Sequence, residues 1–529
     1  MCEAKRYPIG VQSFSEIIRG NYLYVDKTEF IHDLVKEGKY YFMSRPRRFG
    51  KSLLISTMEA FFLGKRELFK GLAIDRHDDI EWNEYPVFHL DFSGKDFSQD
   101  DDSLFKHIDN YLHSWEERHG IVPRIPDVDT RFLNLIIAEY KRTGRQMVVL
   151  IDEYDRPLMQ NIHDERRQDA FRNTLKGFFG VLKSCDDYIK FGFLTGVTKF
   201  GRVSVFSDLN NLSDITLLRK YNAICGITET ELAENFQQGI AALGEQYELG
   251  YDETCAQLKT RYDGYRFTGW KVEGIYNPFS LLSAFSNLEF NDYWFMTGTP
   301  TLLIDLLRNS RIYIADLQDA SRTEIELSGI DTMRHDPVPL LFQTGYLTIK
   351  GTFMDGRRTR YRLGFPNEEV ESGFLEALLP YYINTDQFDG GFSISRFIDA
   401  LRENRVDDFM NMLKSLMAGV PYNESKESVK KIHENRLRDV VFIICRLMGM
   451  SVDAECHTSL GRIDMTVKTD RFIYIFEFKV DESPEKALEQ IDEKHYADPY
   501  LADGRTVVKV GVEFSTASRN IRDWRRVEV

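Results

Sequence analysis

The chain has 529 residues, too many for one ordinary core, so two to four domains are expected. Hydrophobic residues make up 43% and charged residues 29%, which excludes a disordered or fibrous protein. A net charge of −15 argues against a surface that binds nucleic acid everywhere.

The charge is uneven. Lys430–Val529 holds 17 basic and 18 acidic residues, net −1, so the preceding part carries −14. Six cysteines are scattered at 2, 185, 225, 255, 445 and 456, with no C-x-x-C pair and no H-E-x-x-H. That pattern argues against a disulfide scaffold or a structural zinc and for a cytoplasmic protein. Met1–Arg6 has no signal-peptide character, and the longest apolar runs, such as Val440–Cys445, are too short to span a bilayer. No membrane partner is expected.

In chain order, Tyr40-Tyr41-Phe42-Met43 reads as a short strand. It runs into Ser44-Arg45-Pro46-Arg47-Arg48-Phe49-Gly50-Lys51-Ser52, and a helical pattern continues to Phe62. Gly50-Lys51-Ser52 is the tail of a phosphate-binding loop, although Arg45 stands where the general pattern has its first glycine. Residues Arg48, Phe49, Gly50, Lys51, Ser52 and Leu53 are the candidates to wrap ATP. Lys51 would reach the outer phosphates and Ser52 would help hold Mg²⁺. Read blandly, the same stretch is a basic turn.

Val87–Asp91, Met147–Ile151 and Ile189–Leu194 are further strands, separated by helical stretches such as Arg131–Arg142 and Asp169–Lys183. This alternation predicts a parallel sheet covered on both faces, ending near residue 220. The apolar run Val148–Ile151 stops abruptly at Asp152-Glu153. Asp152 is placed to share the Mg²⁺ shell and Glu153 to polarise a water. Thr195, or Thr198, is a candidate sensor of the terminal phosphate; Lys199 and Arg202 are weaker candidates for a charge-neutralising finger.

Residues 221–425 read as mostly helical, with a hairpin between Gly345 and Leu363 around Asp355-Gly356. From about Lys430 a helix is expected, then strands Gly461–Val467, Phe472–Val480 and Val507–Phe514. Alternation in the second of these puts Glu477 and Lys479 on one face and Phe476 and Phe478 on the other. Asp464, one hairpin away, completes a set of two carboxylates and a lysine. Such a set suits metal-dependent phosphodiester hydrolysis: Asp464 and Glu477 would bind Mg²⁺, and Lys479 would orient water. Glu434 is a further acid and Gln490, on a helix opened by Ser483-Pro484, a further polar group. A buried salt bridge is the bland alternative for the trio.

Several long motifs carry a family resemblance. YPIGVQSFSEIIRGNYLYVDKTEFI, RPRRFGKSLL, LIDEYDRPL and FGFLTGVTKF resemble the AAA-ATPase-like family of bacterial proteins. RYDGYRF, IYNPFSLL and YWFMTGTPTLL match the middle of the same family. GRIDM, FEFK and the Gln490–Tyr496 helix resemble the PD-(D/E)xK nuclease superfamily. RPRRFGKS with arginine first is the family's usual form, and Ile463 replaces the proline before Asp464.

The resemblance implies an α/β protein. A P-loop NTPase parallel sheet (1–220) would carry a helical lid and middle region (221–425), followed by an α/β restriction-endonuclease-like domain (426–529). ATP and Mg²⁺ are the implied cofactors and nucleic acid, DNA before RNA, the implied partner. The implied activity is an ATPase coupled to a nuclease, with defence as the natural setting. An ATP-dependent switch whose nuclease-like part binds without cleaving is the alternative. Homo-oligomers are expected among ATPases that borrow a neighbour's arginine.

Overall fold

A computed structural model describes residues 5–122, 127–199, 211–295, 314–318, 320–329, 336–382, 394–418, 439–458, 461–518 and 520–529, with isolated positions 205, 206, 209 and 307. The chain forms two compact units: Met1–Gly298 with Asp319–Glu369, and Thr299–Gln318 with Val370–Val529.

The first unit is built on five strands: β1 (Tyr40–Ser44), β2 (Val87–Asp91), β3 (Met147–Asp152), β4 (Ile189–Gly196) and β5 (Ser213–Asp214). They pair in parallel in the order β2-β3-β4-β1-β5. Every residue of β1 and β3 is buried, as expected of near-continuous apolar strands under helices. The flanking helices start and stop on local signals. Asp127 caps Val128–Thr143 by accepting from Thr130 N–H, and Gly144 ends it at φ 68°. Asp164 caps Glu165–Ser184 in the same way. The parallel sheet matches the sequence expectation; two-residue β5 was not legible, being too short to show a period.

Helices Glu229–Asn235, Gln237–Gln246, Tyr251–Tyr262 and Pro278–Asn287 pack together about a core that includes Phe236, Ile240, Leu258 and Phe285. Strands β6 (Ile227–Thr228) and β7 (Ile275–Tyr276) form a small ribbon. The expected hairpin is present as β9 (Thr348–Asp355) and β10 (Arg358–Gly364), and a third strand, β8 (Ser321–Thr323), pairs with β10. The other described elements between 221 and 425 are mostly helices, among them Glu368–Tyr382 and Val406–Ala418.

The second unit holds a sheet ordered β11 (Ser451–Thr458), β12 (Gly461–Lys468), β13 (Phe472–Val480), β14 (Thr506–Ser515) and β15 (Asn520–Glu528). Only β13–β14 is parallel, and the connection between them carries the helix Pro484–Glu493. Ile473 and Ile475 meet Ile491 of that helix. On the other face, Tyr474 Oη donates to the Leu401 carbonyl at 2.6 Å and Phe476 packs near Phe409. Alternation therefore places Glu477 and Lys479 on the side of helix Pro484–Glu493. The expected helix near Lys430 is described over 439–447; its start lies outside the described residues. Edge strands β11 and β15 escaped the sequence reading because both are rich in polar and charged residues.

No helix among the described residues is long and apolar enough to cross a membrane. A Cβ built on Gly511 of β14 would lie 2.3 Å from the Pro484 carbonyl oxygen and 3.1 Å from Ala487 Cβ. That close approach seats the helix carrying Gln490. Gly511→Val is expected to destabilise the second unit by ~1–3 kcal/mol through overpacking. A denaturation midpoint equal to wild type would refute this.

Candidate functional sites

The first site lies at the carboxyl ends of the parallel strands, where open α/β sheets bind ligands. Ser44 pairs with Gly196 and Met43 with Thr195, while Ile151 pairs with Leu194. The ends of β1, β4 and β3 are thus side by side. After β1 the chain makes a loop with Arg48 at φ 67° and Gly50 at φ 93°, then enters helix Lys51–Phe62. A Cβ on Gly50 would meet nothing within 4 Å, so glycine is favoured there by backbone conformation and not by crowding. The helix N-terminus faces the loop with free N–H groups, a ready anion site.

Lys51 is buried, and its Nζ donates to the carbonyls of Arg45 and Pro46, both at 3.0 Å. The lysine is held inside the loop that a phosphate would occupy. Ser52 and Leu53 are half-buried on the first helical turn. Phe49 is buried with its ring edge-on to Tyr265 and Phe267 at 4.8 and 5.4 Å. Arg48 is exposed, its guanidinium 3.8 Å from the centre of the Phe279 ring.

Arg45 turns inward. It is 1% exposed, and Nη1 donates to the carbonyls of Ser44 and Thr216 and Nη2 to that of Tyr221, at 2.8–2.9 Å. Its guanidinium sits 4.1 Å over Phe267. Burial pushes its pKa down to about 10, so it remains a cation at neutral pH. The residue in place of the usual glycine is therefore a pin that ties the loop to the segments after β5. The sequence showed its charge but not its direction.

Asp152 ends β3, buried, and accepts a hydrogen bond from Thr195 Oγ1. Thr195 Oγ1 also accepts from the Glu153 N–H at 3.4 Å. Glu153 adopts φ 54°, a left-handed conformation costly for a side-chain-bearing residue and typical of functional turns. Its carboxylate lies 3.2 Å from Arg156 Nη1. Burial raises its pKa, offset in part by the nearby Lys51. The structure thus brings Lys51, Asp152, Glu153 and Thr195 into one neighbourhood. Thr198 belongs to a different group. Its N–H and Oγ1 both donate to Asp155 at 2.6 Å, and Val197 N–H adds a third bond at 3.1 Å. Lys199 Nζ is 2.8 Å from Asp214, and Arg202 lies outside the described residues.

Asp155 was not singled out from sequence. The signal was available as a second acid two residues past Glu153, together with Thr195-Gly196. A Cβ on Gly196 would fall 2.8 Å from Asp155 Oδ1 and from the Tyr154 ring. The strand end has to be bare for this turn to fold against it.

The second site is on β12, β13 and helix Pro484–Glu493. Met465 pairs with Phe476, so Asp464 and Glu477 are one step further along the same two strands. Asp464 Oδ2 accepts the Phe478 N–H at 2.9 Å. Glu477 is 1% exposed. Its Oε1 accepts from Lys479 Nζ at 3.1 Å and from Gln490 Nε2. Gln490 Oε1 in turn accepts from Lys479 Nζ at 2.6 Å. Burial, and then the Asp464 charge, hold the Glu477 carboxyl well above the usual range, against the pull of Lys479.

Glu477 Oε2 is buried and has no hydrogen-bond partner among the described residues. An unanswered carboxylate oxygen beside a second carboxylate fits a hard divalent cation, which takes oxygen ligands. Asp464, Glu477, Lys479 and Gln490 are together; Glu434 lies outside the described residues. Gly511, which lets the Gln490 helix approach, was missed, although a lone glycine inside Val507–Phe514 is the ordinary sign of a close backbone approach.

A strand–loop–helix phosphate cradle with an acidic strand end, and a separate mixed sheet bearing an Asp–Glu–Lys set, define an ATPase-like protein joined to a nuclease-like domain. Residues 8–206 match the family described as predicted AAA-ATPase, and residues 432–524 match the PD-(D/E)XK nuclease superfamily. The chain is 37% identical over 521 residues, 98% of each chain, to an uncharacterized protein in the vnfD 5′ region of Azotobacter chroococcum mcd 1. It belongs to the AAA-ATPase-like family and carries a nuclease-superfamily domain at its C-terminal end. Domains of these two kinds generally use a nucleotide and a divalent metal.

Arg45→Gly restores the general loop pattern but leaves the Thr216 and Tyr221 carbonyls without donors. It is expected to lower stability of the first unit by ~1–3 kcal/mol and to weaken nucleotide binding. Unchanged melting and unchanged binding of a fluorescent ATP analogue would refute the pin.

Proposed function

We propose that this protein binds and hydrolyses ATP and couples that cycle to metal-dependent cleavage of nucleic acid by its C-terminal domain. The observation that carries the nuclease half is the Glu477 carboxylate, set beside Asp464 and bridged by Lys479 and Gln490, with Oε2 buried and without a hydrogen-bond partner among the described residues. Asp263 Oδ1 and Glu369 Oε2 are also buried without a hydrogen-bond partner among the described residues; what sets Glu477 apart is a second carboxylate, Asp464, on the neighbouring strand and a lysine two residues on.

In the first unit, Lys51 exchanges the Arg45 and Pro46 carbonyls for the outer phosphates of ATP, and helix N–H groups hold the remaining charge. Arg48 to Leu53 form the wall of the phosphate site. Ser52 and Asp152 would hold Mg²⁺, and Thr195 orients Asp152. Glu153, its basicity raised by burial, accepts the proton of the attacking water.

In the second unit, Asp464 and Glu477 would hold Mg²⁺, with Glu434 a further ligand candidate. Bound there, the metal supplies Lewis acidity and lowers the pKa of a water. Lys479 orients the water and faces the charge that grows on the phosphate. Gln490 fixes both Lys479 and Glu477, so it is a positioning residue. The substrate class is nucleic acid, DNA before RNA, and defence against foreign DNA is the setting such a nuclease suits.

Lys51→Ala is expected to abolish ATP binding. Glu153→Gln should keep binding but lose turnover by about 10²-fold or more. If wild-type turnover is already negligible and unchanged in Glu153→Gln, the protein binds ATP without hydrolysing it. For the second site, a cleavage screen over DNA and RNA with Mg²⁺ or Mn²⁺, with and without ATP, is the direct test. Asp464→Asn and Lys479→Ala should each lose cleavage with melting unchanged. Mn²⁺ should raise the wild-type melting temperature but not that of Glu477→Gln. The net charge of −15 favours one competing reading, a switch whose nuclease-like domain binds without cleaving. No product under any condition would select that reading.

A further inference from the structure

We propose that the arginine-bearing face of the β8–β10–β9 sheet is a landing surface for single-stranded nucleic acid. The proposal deepens the reading that the chain acts on nucleic acid. It starts from charge. In a chain of net −15, the hairpin Thr348–Gly364 holds five basic residues, Lys350, Arg357, Arg358, Arg360 and Arg362, against one acid, Asp355. A local net charge of +4 on an acidic protein is a directed attraction for a polyanion.

Register then shows how the charge is arranged. In β10, Arg358, Arg360 and Arg362 alternate, so they share one face at a spacing of ~6.8 Å, about one nucleotide step of an extended strand. Their partners across β9 are Asp355, Phe353 and Gly351, which stand on that same face. On the opposite face only the part around Thr352 and Tyr361 approaches the protein, where a Cβ on Gly269 would come 2.7 Å from Thr352 and 2.8 Å from the Tyr361 ring; Met354 and Thr359, nearer the turn, are exposed. On the arginine face Arg358, Arg362 and Phe353 are exposed and Arg360 is half-buried.

Most of this charge is unanswered. Arg360 pairs with Asp355 at 2.8 Å. Arg362 lies over the Phe353 ring at 5.8 Å, and neither it, Arg357 nor Arg358 makes an ion pair among the described residues. The neighbouring Glu326 is used as a helix cap, accepting from the Thr323 N–H at 2.7 Å. Protection of a sheet edge is the usual reason for cations on a strand. It does not account for Arg360 and Arg362, which lie where β10 is paired with both β8 and β9. Phe353 decides between single strand and duplex. An exposed ring, 39% accessible and flanked by guanidinium groups, is a stacking platform for an unpaired base. A duplex hides its bases and has no use for it.

The test measures anisotropy of a labelled oligo(dT) of about 20 nucleotides, several binding units long, with full-length protein and metal chelated to prevent cleavage. Wild type should bind. Arg358→Ala with Arg362→Ala should flatten the log–log salt dependence by about 1.4, two charges at ~0.7 each. Phe353→Ala should weaken binding about tenfold at any salt. Melting curves serve as the folding control. No binding by wild type overturns the proposal, as does wild-type affinity and slope in the double variant. A duplex bound more tightly, with Phe353→Ala without effect, overturns the single-strand assignment. Loss of cleavage activity leaves this assay unaffected, so failure of the nuclease reading and failure of this one are told apart.

Discussion

Charge placed in the interior must be met by a donor, an acceptor or a ligand, and the two sites depend on how each charge is met. Asp152 is met by the Thr195 hydroxyl, Asp155 by the Val197 and Thr198 amides, and two nitrogens of Arg45 by the Ser44, Thr216 and Tyr221 carbonyls. Each answer ties one strand end or loop to another. Glu477 is met only in part: one oxygen accepts from Lys479 and Gln490, and the other has no hydrogen-bond partner among the described residues. Leaving a buried carboxylate oxygen unanswered costs free energy unless a ligand completes it.

The phosphate loop shows how a departure from a common pattern can be structural. A glycine in the first position would give the backbone freedom. Arg45 instead supplies a side chain long enough to reach Thr216 and Tyr221, and the loop gains a fixed floor. Phe49, wedged against Tyr265 and Phe267, anchors the other side. Trp294 adds an indole N–H to the Arg47 carbonyl at 3.4 Å. The loop is therefore gripped by residues far along the chain, which explains why motifs such as RYDGYRF accompany RPRRFGKS.

Much of both sites was legible because strand ends and alternation are local. Met147–Asp152 is a run of buried apolar residues that stops at an acid, and Glu477 and Lys479 are two residues apart on a strand; neither needs a distant partner to be read. The direction of Arg45 was not legible, and the local signs at Asp155 and Gly511 did not say what they meet, since each depends on a contact with a segment remote in sequence. The β8–β10–β9 face is an intermediate case. Its arginines are visible as a run, but only pairing shows that they share a face with Phe353 and not with Tyr361.

The sequence by itself determined the parallel sheet, the strand–loop–helix phosphate cradle, the Asp–Glu–Lys set and the family. These follow from hydrophobic periodicity and from motifs spanning a few residues, which the backbone's local geometry converts directly into structure. The tertiary structure alone decided which charges are buried together, where a buried carboxylate oxygen is left open beside a second acid, and which exposed ring stands among the hairpin's arginines. Those are questions of burial and contact between distant segments, and a charge has no fixed environment until the chain has folded around it.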